Sequence, residues 1–68
     1  MSDASNEFPY MIKVTADALN YRSGPSANYN INGTITDNSV YTIVEEEDGW
    51  GKLKSGAGWI NLKYTSRV

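Results

Sequence analysis

Two glycine–tryptophan pairs, Gly49-Trp50 and Gly58-Trp59, stand nine residues apart near the end of a 68-residue chain. Glycine before a large aromatic at this spacing marks turns that open short strands. It predicts a tight all-β barrel whose Trp rings either close the core or line a groove. Helical periodicity never persists over the roughly 10–12 residues that identify a helix. Strands at short spacing with Gly-bearing turns leave a small barrel or sandwich.

Residues 1–9 are Ser, Asp, Asn and Ala rich with little to bury, and are expected to form a disordered linker or leader. The folded part is assigned to residues 10–68. Met11-Ile12-Lys13-Val14-Thr15 reads as a first strand, and Ala16-Asp17 as a turn. In the next strand Leu19 and Tyr21 share one face, with Asn20 and Arg22 on the other. Residues 23–30, containing Gly24-Pro25, read as an ordered, turn-rich loop. Asn32-Gly33 between Ile31 and Ile35 is a hairpin signal taken alone. The flanks are too short to pair, so one bent strand is expected, with Gly33 at a bulge or close backbone approach. Asp37-Asn38-Ser39 is a turn in which Asn accepts a left-handed backbone. Residues 40–45 give the clearest strand, with Tyr41 and Ile43 on one face, and Asp48-Gly49 closes its hairpin into residues 50–54. Residues 55–58 turn into a strand at 59–62, and Lys63-Tyr64-Thr65 is a helical turn or a last strand. Leu19, Ile31, Ile35, Ile43, Leu53 and Ile60 are assigned to the core.

Composition excludes several functions. The chain has neither Cys nor His, which removes disulfides, thiolate zinc sites, imidazole ligands and the usual general bases. No metal or cofactor is expected. The carboxylates Glu45, Glu46, Glu47 and Asp48 run consecutively at a turn, where they read as a solvated hairpin end rather than a pair converging across a cleft. Catalysis is therefore not expected. The net charge is −2, and residues 12–68 sum to zero, which argues against a strong electrostatic hold on nucleic acid or anionic membrane. There is no apolar stretch of membrane-spanning length and no secretory signal pattern, so a surface destination requires a signal carried elsewhere in a longer parent.

The run Leu19-Asn20-Tyr21-Arg22-Ser23-Gly24-Pro25-Ser26 resembles the signature of the bacterial Src homology 3 domain, entering its long first loop. Tyr29 and Ile31 before Gly33-Thr34-Ile35, residues 40–44, Gly49-Trp50, Leu53, and Gly58-Trp59-Ile60 before Leu62-Lys63-Tyr64 follow in that family's order. The resemblance covers residues 12–64. Asn38 stands where glycine is usual, and Tyr21 where a small β-branched residue is usual.

The resemblance implies an all-β, Src-homology-3-like barrel of five to seven short antiparallel strands. It also implies a non-catalytic module that recognises the peptide part of peptidoglycan and tethers a parent cell-wall hydrolase, such as an N-acetylmuramoyl-L-alanine amidase. Tethering works by raising local concentration. A monomeric, secreted or wall-associated module of a Gram-positive source follows from the same likeness. The alternative is a barrel that docks onto its parent enzyme or a protein partner through the same groove.

The candidate ligand residues are Tyr29, Trp50, Arg22, Asn28, Asn30, Tyr21 and Tyr64. Trp50 follows a turn, where its ring either packs inward or lies over a groove. Trp59 is expected to pack inward and cover the barrel's edge beside a core-facing Ile60. Tyr29 sits in the long loop with little core to fill. Asn28 and Asn30 offer amide groups to a peptide backbone, or cap their own turn. Arg22 either meets a ligand carboxylate or pairs with the acidic run. Tyr21 either fills core volume or emerges at the groove, and Tyr64 closes either the barrel or the groove.

Overall fold

A computed structural model describes residues 8–68. Residues 1–7, most of the stretch assigned to a disordered leader, lie outside the described residues. Seven strands form one antiparallel sheet: β1 (Tyr10–Val14), β2 (Leu19–Arg22), β3 (Ile31–Ile35), β4 (Val40–Glu47), β5 (Trp50–Leu53), β6 (Trp59–Asn61) and β7 (Thr65–Arg67). Their spatial order is β3-β2-β6-β5-β4-β1-β7. The fold is all-β, as expected. Among the described residues, no helix is long and apolar enough to cross a membrane.

Every strand from β1 to β6 sends an aliphatic side chain into one cluster: Ile12, Val14, Leu19, Ile35, Ile43, Leu53 and Ile60. One face of a seven-stranded sheet can converge on a single cluster only if the sheet curls round it. Each such side chain contributes about 1.5–3 kcal/mol on burial, and packing carries the stability of a chain that holds no cysteine. Tyr10, Tyr21, Tyr41, Ala57 and Leu62 pack against the cluster from its rim.

Ile31 is not part of this core; it is 51% exposed. Arg22 pairs with Ile31 and Tyr21 with Gly33, so Asn32 is an extra residue on β3. One inserted residue reverses the alternation, and Ile31 leaves the face that Ile35 occupies. Gly33 makes the expected close approach, since a Cβ there would collide with the Tyr21 ring. The Asn-Gly pair thus belongs to a bulged strand and not to a hairpin.

The left-handed turn conformation falls on Asp48 (φ 50°) and Gly49 (φ 83°), which join β4 to β5, and not on Asn38. Two successive residues at positive φ give the tight turn whose twist matches the flanking strands. Asn38 works through its side chain. Its Nδ2 donates to the carbonyls of Val14 at 2.9 Å and Ala16 at 3.1 Å, stapling the start of β4 to the end of β1. After β6 both expected forms occur in series, a 3-10 turn at Leu62–Tyr64 and then β7.

Candidate binding groove

Alternation along the strands sorts the two tryptophans. In β5, Gly51 and Leu53 are buried while Trp50 and Lys52 are half-buried. In β6, Ile60 is buried while Trp59 and Asn61 are half-buried. Successive side chains of a strand point to opposite faces, so both indoles lie on the outer surface, away from the core. The expectation that Trp59 packs inward is corrected by its neighbour, because Ile60 takes the core position and the adjacent ring cannot share it. Directly opposed residues share a face. Asn61 therefore stands beside Trp50, and Trp59 stands between Arg22 and Lys52.

A groove of about 460 Å³ opens on this surface. Its floor and walls come from five places in the chain: Asn20 and Arg22 on β2, Trp50 on β5, Asn61 on β6, Tyr64 on the 3-10 turn, and Ala27 on the long loop, with Ala16, Ala18 and Leu19 completing it. The size falls within the range of small-ligand clefts. Tyr64 is held there by its backbone, whose carbonyl accepts from Thr15 N and Thr15 Oγ1, both at 2.9 Å. Tyr64 is 43% exposed, and its ring carries the Lys63 ammonium 5.4 Å from its centroid.

The polar groups of the groove are aimed by hydrogen bonds. Asn20 Oδ1 accepts from Thr34 Oγ1 at 2.8 Å, and Asn61 Oδ1 accepts from Lys63 N at 3.1 Å. With both amide oxygens engaged, each Asn has its NH₂ group left to offer. Arg22 Nη1 donates to the Tyr29 carbonyl at 3.0 Å, a bond to the long loop in place of an ion pair with the acidic run. Arg22 is the one charged residue of the lining. The groove is thus rich in donors and flanked by two aromatic rings.

The structure brings together three of the residues singled out from the sequence, Arg22, Trp50 and Tyr64. Tyr21 lies elsewhere, over Gly33, and lines a separate cavity of about 300 Å³ with Tyr41 and Asp37. There Tyr41 donates to Asp37 Oδ1 at 3.0 Å, which lowers the Asp37 pKa. Tyr29, Asn28 and Asn30 are exposed on the long loop and do not line the groove. The Tyr29 ring covers Gly24, where a Cβ would lie 2.5 Å from it. Asn30 accepts from Ser23 N at 2.9 Å through its backbone, and the loop's inner cap is Ser26, whose Oγ accepts from Asn28 N at 3.1 Å. Asn20 and Asn61 were missed, although each sits two residues from a residue already in view, Arg22 and Trp59, on the same strand face.

Residues 17–66 match the sequence profile of the family described as the bacterial SH3 domain. The chain belongs to the bacterial SH3 domain family. The domain is also 30% identical over 50 residues to "Putative N-acetylmuramoyl-L-alanine amidase YrvJ" of Bacillus subtilis (strain 168), a match covering 71% of this chain and 10% of the relative. This bacterial SH3 domain therefore spans about a tenth of the relative's length, and the likeness runs through the domain alone. No solved structure matches it significantly. Among the described residues no group of three or more acidic side chains is placed to hold a metal ion.

Proposed function

We propose that this domain is a non-catalytic cell-wall-binding module that holds the peptide part of peptidoglycan and tethers a parent hydrolase, such as an amidase, to its substrate. The observation that carries this reading is the donor-rich groove between Trp50 and Tyr64, with Arg22, Asn20 and Asn61 on its floor. A peptide presents carbonyl and carboxylate acceptors in quantity, and the two aromatic rings suit its apolar side chains. The named amidase relative supports the same reading, since attachment of such a domain to a wall-cleaving enzyme raises the local concentration of its substrate. On this reading the parent is secreted or wall-associated in a Gram-positive source, the module acts as a monomer, and the long loop with Tyr29, Asn28 and Asn30 borders the ligand.

Co-sedimentation of the 68-residue chain with isolated peptidoglycan sacculi tests it. Pelleting of the wild type, and its loss in a folded Trp50→Ala variant, is the expected result. A wild type that stays in the supernatant with sacculi of several wall types overturns it and favours docking onto a protein partner.

A further inference from the structure

Resting on the cell-wall reading, we infer that the groove selects a free peptide carboxylate, so that the domain favours open stem-peptide ends over cross-linked ones. Three donor groups from two strands, Asn20 and Arg22 on β2 and Asn61 on β6, converge on the groove, and each is anchored by a hydrogen bond already made. Asn20 and Asn61 have their amide oxygens committed to Thr34 and to the Lys63 backbone, and their NH₂ groups have no partner among the described residues. The Arg22 guanidinium is fixed through Nη1 to the Tyr29 carbonyl, which leaves its other N–H groups in a set orientation.

A ligand amide would offer this cluster one uncharged acceptor and turn its other group toward it as a donor. A carboxylate is acceptor-only and matches a planar fork of N–H groups. No Asp or Glu lines the groove to neutralise Arg22 from within. The nearest acids by position are Asp17, between two lining alanines, and Glu47, cross-strand from Trp50 at the rim. In a cross-linked stem the terminal residue has left with its carboxylate and the new terminal carbonyl is an amide to a neighbouring stem, so the end carries no negative charge and presents an N–H. Wall already opened, or not yet closed, would then be the preferred target.

The test is calorimetric titration of the chain with acetyl-Lys-D-Ala-D-Ala as the free acid and as the C-terminal amide, beside the sacculus assay. The acid is expected to bind about tenfold or more tightly than the amide, the difference a charge-assisted hydrogen bond supplies. Arg22→Gln is expected to erase that difference, while Arg22→Lys keeps part of it by retaining the charge without the fork. Equal binding of acid and amide by the wild type, with sacculi still pelleting, overturns this inference and leaves the wall-binding reading intact. Failure of both peptides and of sacculi overturns both. The comparison of the two peptides needs no variant, so a misfolded Arg22 substitution does not obscure it.

Discussion

Gly58 lies against the carbonyl oxygen of Arg22 so closely that a Cβ at Gly58 would overlap it. The contact is backbone to backbone across β2 and the turn before β6, the junction that carries Arg22 into the groove. Gly58 also has φ +154°, a conformation L side chains rarely adopt. Neither problem can be relieved by a side-chain rotation.

Gly58→Ala is therefore expected to cost about 2–3 kcal/mol. For a domain of this size that is a fall in Tm on the order of 10–20 °C. Thermal denaturation followed by circular dichroism measures it; a Tm within a few degrees of wild type refutes the close-approach account. Gly49→Ala has open space around its added Cβ and suffers only from its positive φ, so its loss is expected to be smaller.

Asn38 gives a sharper contrast. Were its role to hold a left-handed turn, glycine would serve as well. Its Nδ2 instead donates to two carbonyls, those of Val14 and Ala16. Asn38→Gly and Asn38→Ala are both expected to destabilise by about 1–3 kcal/mol, read as a drop in the urea midpoint. A neutral Asn38→Gly variant sinks this assignment.

Truncation of the aromatic and aliphatic neighbours of β5 and β6 separates groove from core. Ile60 is fully buried, and Ile60→Ala is expected to lose about 2–5 kcal/mol. Trp50 is half-buried on the outer face, and Trp50→Ala is expected to lose about 1–2 kcal/mol and remain folded. Denaturant titration of the two variants gives the order. An equal loss in both would place the Trp50 ring in the core.

The Tyr10 hydroxyl donates to Glu46 Oε1 at 2.6 Å, and the Arg67 guanidinium sits 3.9 Å from the Tyr10 ring centroid, so β4, β1 and β7 are clasped together. Burial pushes the Tyr10 hydroxyl up to about 12, helped by the bond to Glu46 and that carboxylate's charge, with Arg67 opposing. A raised pKa means the folded chain keeps the proton more tightly than the unfolded one. The contribution is complete below the unfolded value of 10.0 and is lost as pH rises through about 12. Tm is expected to fall from pH 9 to pH 11.5, with a shallower fall in Tyr10→Phe. Parallel curves for the two proteins would remove Tyr10 from the account.

Acid acts at the other end of β4. Asp37 has its pKa lowered by the hydrogen bond from Tyr41, then by Ser39. Its stabilisation is present above the ordinary value of 3.8 and is lost as pH falls below it toward the lower folded value. Asp37→Asn is expected to weaken the dependence of Tm on pH below 4, and an unchanged slope would count against it. Because the carboxylate is fully solvent-exposed, the effect is small.

The strands were legible because each is a short, turn-bounded run with its own alternation, a local property that survives in the linear sequence. Val40, Tyr41 and Ile43 announced β4, and Asp48-Gly49 announced its turn. Ile31 was misread because a bulge at Asn32 changes phase, and the phase of β3 is fixed by its pairing with β2 rather than by its own residues. The groove was half legible. Arg22, Trp50 and Tyr64 stood out as a charge or large ring beside a turn, whereas Asn20 and Asn61 are ordinary polar strand residues in the sequence.

The chain's own order of residues determined the fold class, the family and the absence of Cys and His chemistry, because these rest on composition, local periodicity and turn residues. Tertiary structure decided which face each tryptophan occupies, which amides are left free to donate, and that Arg22 answers to the loop and not to the acidic run. Those outcomes depend on which strands become neighbours. Pairing β6 between β2 and β5 sets Arg22 and Asn61 on one outer surface from residues nearly 40 positions apart, and no local rule contains that pairing.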